Sequence, residues 1–224
     1  MIATDAVQRF VDEVNALPST YVPYIRAVRR RLSKEWKTQP AGFVTAVAFD
    51  LAARREHRWE RWFAYEAIRY HKGTFAALND HTLSRLAAGL DSWDSVDALG
   101  RILTGAAWAQ GLASDALIDR WSRSQDLWQR RLALVSTIGL NKPADGGKGD
   151  TRRTLAICAR MVDDREDMVV KALSWALRIL TDRDPKAVRD FLQKHDGRLA
   201  ARVKREVNTK LRTGRKNPKK SPKA

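Results

Sequence analysis

Trp93 and Asp97 stand four residues apart in the segment Ser92-Trp93-Asp94-Ser95-Val96-Asp97. A helix through this segment carries both on one face. A large aromatic ring beside a carboxylate can stabilise a developing cation, the ring through its electron-rich face and the carboxylate through its charge. On spacing alone, a half-buried tryptophan beside a solvated aspartate is the plainer account. Other chemistries lack their residues. His57, His71, His81 and His195 are scattered, with no H-E-x-x-H and no pair at metal-ligand spacing, so no metal site and no histidine-driven acid–base chemistry are expected. His71 and His195 fall at predicted helix C-termini, where partial positive charge is favourable. Cys158 is the single cysteine, which excludes an intrachain disulfide and a cysteine-based zinc site and fits a reducing compartment. No G-x-S-x-G elbow is present. Gly146-Gly147-Lys148-Gly149 is no phosphate loop, because Lys148 precedes Gly149 rather than Ser or Thr and the segment before it reads as helix. It is expected to be a mobile surface loop.

The elements that must position these residues are helical throughout. Apolar residues recur at i, i+3, i+4 and i+7, with no sustained two-residue alternation. Helices are predicted near 4–17, 22–35, 40–54, 58–71, 74–88, 94–110, 114–122, 125–139, 150–162, 166–181, 185–194 and 198–211. Ser114-Asp115 and Asp184-Pro185 read as helix starts. Short links join these helices, and each antiparallel pair spans about 35 residues, as in helical repeat families. The predicted fold is all-α, an α-solenoid of about six HEAT-like antiparallel helix pairs with a concave basic face. An irregular helical globule is the other architecture such a pattern allows. Residues 1–212 are expected to form a single repeat domain and 213–224 a basic, disordered tail, because Gly214, Pro218 and Pro222 lie among like charges. Of the eight tryptophans, most are expected in the core.

Charge directs attention to polyanions. The 224 residues carry 42 Lys and Arg against 26 Asp and Glu, a net +16, which favours nucleic acid as partner. From Arg198 onward eleven cations face only Glu206, so +10 of the +16 lies at this end. Three further segments are candidates for a face toward a duplex backbone: Arg26 with Arg29, Arg30 and Arg31; Arg130 with Arg131; and Arg152 with Arg153. No apolar run is long enough to span a membrane. The charged N-terminal stretch argues against a signal peptide.

The chain resembles the AlkD-like DNA alkylation repair family, the HEAT-like repeat alkylpurine DNA glycosylases. Asp164-Arg165-Glu166-Asp167-Met168-Val169-Val170-Lys171-Ala172-Leu173-Ser174-Trp175-Ala176-Leu177-Arg178 resembles its signature stretch. Asp184-Pro185 with Val188, Phe191 and Leu192, then Arg205-Glu206, Lys210-Leu211 and Thr213-Gly214-Arg215-Lys216, continue the likeness. The Trp93–Asp97 segment and Leu127-Trp128-Gln129-Arg130-Arg131-Leu132-Ala133 complete it upstream.

The resemblance implies a monofunctional glycosylase that hydrolyses the N-glycosidic bond of cationic N3- or N7-alkylated purines, such as 3-methyladenine and 7-methylguanine, in double-stranded DNA. It implies Asp97, Trp93 and Trp175 as the catalytic set, and Arg131 or Arg130 as the backbone contact. DNA binding is further assigned to Lys171, Arg178, Arg205, Lys210, Arg215 and Lys216. Tyr21 or Tyr24 takes the place of the family's N-terminal DNA-facing aromatic. No metal, no cofactor and no membrane partner are expected. A monomer acting in the cytoplasm, on the nucleoid if bacterial, is the simplest setting. The alternative is a non-catalytic HEAT-repeat protein that binds duplex or branched DNA. A third class is a protein-binding scaffold with an incidental basic tail.

Overall fold

The computed structural model describes residues 2–54 and 57–217. The helices are α1 Ala3–Asn15, α2 Val22–Glu35, α3 Ala41–Ala53, α4 Arg58–Tyr70, α5 Lys72–Ala76, α6 Asp80–Ala87, α7 Trp93–Ala98, α8 Gly105–Ala109, α9 Asp115–Ser122, α10 Leu127–Asn141, α11 Thr151–Arg160, α12 Asp167–Leu180, α13 Pro185–Lys194 and α14 Ala201–Thr213. A π-helical segment, Leu99–Thr104, joins α7 to α8 as one rod. No strand occurs among the described residues.

The order of packing is that of a repeat solenoid. An inner layer runs α2, α4, the α7–α8 rod, α10, α12, α14, each helix packing on the next. The companion helices α1, α3, α6, α9, α11 and α13 form the outer layer. Side-chain links between neighbouring repeats show the period directly. Arg29 reaches Glu66 over 37 residues, Ser114 reaches Asp80 over 34, Arg131 reaches Asp97 over 34 and Arg202 reaches Asp167 over 35. Each bond joins a residue to its counterpart about one repeat away, so the period weakly visible in the sequence is written into the contacts.

α10 is the hub. Every residue from Arg131 to Asn141 is buried, because α8, α9, α11, α12 and the π segment all pack on it. Glycine permits the closest of these contacts. A Cβ on Gly105 would lie 2.6 Å from the Ser136 carbonyl oxygen and 2.8 Å from the Gly139 Cα, and one on Gly100 would lie 2.7 Å from Val135 Cγ1. Two helix backbones approach here at a distance no side chain allows. That approach brings α7 beside the first turn of α10.

Local differences from the sequence-based expectation have clear causes. The helix expected over 74–88 is two helices. Asn79, with extended backbone, accepts from the Thr82 N–H at 2.9 Å and starts α6 afresh. The helix expected over 94–110 contains the π segment. The last helix starts at Ala201 rather than 198, after a turn that seats Leu199 in the core. The segment 141–150 is a surface loop, as expected, with Asn141 and Gly147 buried and hydrogen bonds tying it to the body. Pro143–Asp145 forms a 3₁₀ turn, Arg183 donates to the Asn141 and Gly147 carbonyls at 2.9 Å each, and Arg101 binds Asp145. His71 ends α4 as its C-cap, as expected, and also starts α5, its Nδ1 accepting the Thr74 N–H at 3.0 Å. Trp36, Trp59, Trp108 and Trp121 are buried, while Trp93 is 50% exposed. Gly214, with φ 70°, closes α14. The expected tail overlaps this end. Thr213 is still helical, and 218–224 lie outside the described residues.

Candidate active site

Ser92 has extended backbone and opens α7, so Trp93 is its first residue and Asp97 lies one turn on. Trp93 stands out from the surface, whereas the Asp97 side chain is only 16% exposed. Arg131 arrives from the first turns of α10 and fixes the carboxylate. Its Nε donates to Oδ1 and its Nη2 to Oδ2, both at 2.9 Å. Its Nη1 donates to the Met168 carbonyl at the start of α12. The guanidinium is itself buried, so three donors are used to tie α7, α10 and α12 together at one point. The fork geometry leaves the carboxylate a single orientation.

The electrostatics of Asp97 are a contest. Burial pushes its carboxyl above the ordinary aspartate value, and Asp94 adds to this. The Arg131 hydrogen bonds, the Arg131 charge and the Arg101 charge pull it back down. Burial prevails. The carboxylate is therefore more basic than a solvated one.

Arg101 belongs to this site although no sequence motif marked it. It is four residues beyond Asp97, within the π segment. Its guanidinium lies 5.9 Å from the Trp175 ring centroid and binds Asp145 through Nε at 3.2 Å and Nη2 at 3.1 Å. The i, i+4 spacing from Asp97 was the available signal. The π turn, which adds a residue and shifts the helix face, was not readable; such turns are frequent at functional sites.

Trp175 follows Met168 by two helical turns on α12 and lines a cavity of about 360 Å³ together with Arg131, Lys171, Arg178, Arg202, Glu206 and Lys216. Five of its seven lining side chains are cationic. Glu206 organises them. It accepts from the Ser174 hydroxyl at 2.7 Å and lies 3.6 Å from Arg178, 3.6 Å from Arg202 and 4.0 Å from Lys216. Lys171 pairs with Asp167 at 2.6 Å. Burial lowers the Arg178 guanidinium from its ordinary value, with Glu206 opposing.

The sequence-derived residues thus divide. Arg131, Trp175, Lys171, Arg178 and Lys216 line one recess on the inner layer, and Asp97 adjoins it through its pair with Arg131, with Trp93 one turn from Asp97. Arg130 does not join them. It binds Asp164 at 2.7 Å and the Ser124 and Gln125 carbonyls, tying two turns together, so it is Arg131 that stands at Asp97. Arg205 is exposed and does not line the cavity. Lys210 pairs with Asp182 at 2.6 Å and caps the Gly214 carbonyl, and Arg215 lies beyond the end of α14. Arg202 and Glu206 were missed as site residues, although their i, i+4 spacing was legible.

Of the three basic segments, Arg29 and Arg31 are committed to Glu66, Glu13 and Glu35, and Arg153 to Asp115. Tyr21 and Tyr24 are both exposed, edge to face with centroids 5.5 Å apart. Cys158 is buried and its thiol is pushed upward by burial, far from nucleophilic use. Among the described residues no group of three or more histidine, cysteine or acidic side chains could hold a metal ion. No described helix is long and apolar enough to cross a membrane.

Comparison with known proteins gives three findings. A sequence model described as DNA alkylation repair enzyme matches residues 3–211. No curated protein matches the chain. Among solved structures, the crystal structure of smu.31 from Streptococcus mutans UA159 superposes with a TM-score of 0.61 at 18% identity, covering 95% of this chain and 96% of that one. At that identity the likeness carries the fold alone.

Proposed function

The chain belongs to the DNA alkylation repair enzyme family, and on that premise we propose that it is a monofunctional DNA glycosylase acting on cationic N3- and N7-alkylated purines in duplex DNA. The observation that carries this reading is Asp97, raised in basicity by burial and held in one orientation by Arg131, the same arginine that lines a recess walled by Trp175 and further cations.

The chemistry follows from the leaving group. Alkylation at N3 or N7 makes the purine cationic, so the bond between C1′ and the base nitrogen breaks with its electron pair going to the base, which departs neutral. No general acid is required. This suits a site whose nearby titratable groups are carboxylates and guanidinium or ammonium groups. Positive charge then grows on the deoxyribose. The Asp97 carboxylate opposes it through charge, and its oxygens keep lone pairs beyond those given to Arg131. The same carboxylate orients the water that attacks C1′ and takes its proton; its raised basicity favours that transfer. Trp93 and Trp175 offer ring faces to the sugar cation, a stabilisation of roughly 0.5–2 kcal/mol each. Lys171, Arg178, Arg202 and Lys216 hold the phosphates flanking the lesion. The recess is open and cationic rather than an aromatic slot for a base. That favours contact through sugar and backbone over extrusion of the base into a pocket.

Base release from a duplex with a single 7-methylguanine, wild type beside Asp97→Asn, tests the reading. Release by wild type, lost in the variant with DNA binding kept, is the expected result. A second reading has its own observation. Arg131 occupies both Asp97 oxygens, as in a purely structural ion pair, which suits a non-catalytic binder of duplex or branched DNA. Binding without release by either protein would favour it.

A further inference from the structure

One repeat before Asp97, the inner layer carries a second tryptophan–carboxylate–arginine set. Trp62 and Glu66 lie on α4 at the i, i+4 spacing of Trp93 and Asp97 on α7. Glu66 is buried and accepts from Trp62 Nε1 at 3.0 Å and from Arg29 Nε at 2.7 Å, and Arg26 Nη2 lies 3.4 Å away. Here the arginines come from α2, the preceding inner helix, whereas Asp97 takes its arginine from the following one. A cleft of about 340 Å³ separates the two sets, lined by Val22, Ile25, Trp59, Trp62, Asp94 and Ala98. Asp94 and Ala98 flank Asp97 on α7, so the sets adjoin.

The two carboxylates are used differently. Glu66 is surrounded by three donors and has no open side for water or a sugar cation. It acts by orienting its neighbours. Arg29 is 10% exposed and lies over the Tyr70 ring with 4.3 Å to its centroid. Arg26 is the outward member. Its side chain is 45% exposed, and its guanidinium is held 4.8 Å from the Trp62 ring centroid while Glu66 fixes one edge. A guanidinium with one edge anchored and its plane set by an aromatic ring presents its remaining N–H donors as a fork, the geometry that binds a phosphodiester in bidentate fashion.

We propose that Arg26, supported by Trp62 and Glu66, forms a second backbone-contact site that grips a phosphodiester of duplex DNA outside the lesion nucleotide. It rests on the reading of the protein as one that acts on duplex DNA, but not on base release. Arg26 makes the contact; Glu66 and Trp62 are positioning residues. Contact at a sequence-neutral phosphate holds the duplex along the inner layer whatever the lesion.

The test is equilibrium binding of an undamaged, fluorescently labelled duplex across a range of salt concentrations. Arg26→Ala is expected to weaken binding about tenfold and to lower the slope of log affinity against log salt by about one. Glu66→Gln keeps the Arg26 charge but loosens its orientation. It should weaken binding while leaving the salt slope near wild type, a split that a merely structural defect would not produce. Should Glu66→Gln fail to fold, Arg26→Ala decides alone, since the Arg26 side chain is half exposed. Unchanged affinity and slope in Arg26→Ala would overturn the proposal, as would failure of the wild type to bind duplex. Wild-type protein that binds duplex but releases no base would remove the glycosylase reading and leave this one standing.

Discussion

Asp97 and Arg131 meet across 34 residues through two parallel hydrogen bonds of 2.9 Å. They lie on neighbouring inner helices at corresponding levels of two repeats. The pair is enclosed, since the arginine is buried and the carboxylate nearly so. Breaking such a pair leaves one charge without its partner, which costs about 3–5 kcal/mol. The same bonds that fix the carboxylate also hold α7 to α10 and α12.

Asp97→Asn keeps the shape of the side chain and removes its charge. Single-turnover release of 7-methylguanine should fall on the order of 10²–10³-fold, with duplex affinity retained. Full activity in the variant would take Asp97 out of the mechanism.

Arg131→Ala is expected to lose stability by about 3–5 kcal/mol, because Asp97 is left buried and unpaired. Arg131→Lys keeps a charge but not the fork. It should fold better than the alanine variant and still release base more slowly than wild type. Thermal denaturation and single-turnover rates together read this. A lysine variant as fast as wild type would show that charge alone suffices at this position.

Acidification should switch base release off earlier than an ordinary aspartate would. Burial raises the Asp97 carboxyl above its unfolded value, and the active form is the ionised one, present above the folded pKa. The rate should therefore decline as pH falls through a midpoint higher than about 3.9, the value for a free aspartate. For stability the sign is opposite. The folded state holds the proton more tightly, so the Asp97 contribution is fully present below the unfolded pKa and is lost as pH rises through the folded one. A rate profile flat to the acid limit of folding would count against Asp97 as the base.

Gly105→Ala places a methyl group 2.6 Å from the Ser136 carbonyl oxygen and 2.8 Å from the Gly139 Cα. The rod must move away from α10, at a cost of about 1–3 kcal/mol. Because that rod carries Asp97, base release should fall along with the melting temperature. An alanine variant with unchanged melting temperature would mean the two helices separate freely.

Trp93 is exposed, so its removal tests chemistry with little effect on packing. Trp93→Ala should slow base release by a few-fold to about thirtyfold, the range corresponding to a lost cation–π contact, while Trp93→Phe should recover part of the rate. Equal effects of the two variants would argue that the contact is not through the ring face.

Helices, their pairing and the roughly 35-residue period were legible in the sequence because hydrophobic periodicity is local and repeats along the chain. The Trp93–Asp97 spacing was legible for the same reason: four residues on a helix fix a shared face. The excess of positive charge toward the C-terminus needed only counting. Tertiary structure decided the rest. Arg130 and Arg131 differ by one position in sequence, yet about 100° of rotation around α10 sends one to Asp164 and the other to Asp97. Arg101 and Glu206 take their places through contacts with Trp175, Ser174 and Arg178, partners that no local pattern connects to them. The π turn follows no apolar periodicity. The rod that contains it lies against α10, where Gly100 and Gly105 let the chains close. What is local in the chain could be read from order and spacing. What depends on which helix faces which, and at what rotation, is set by packing between repeats.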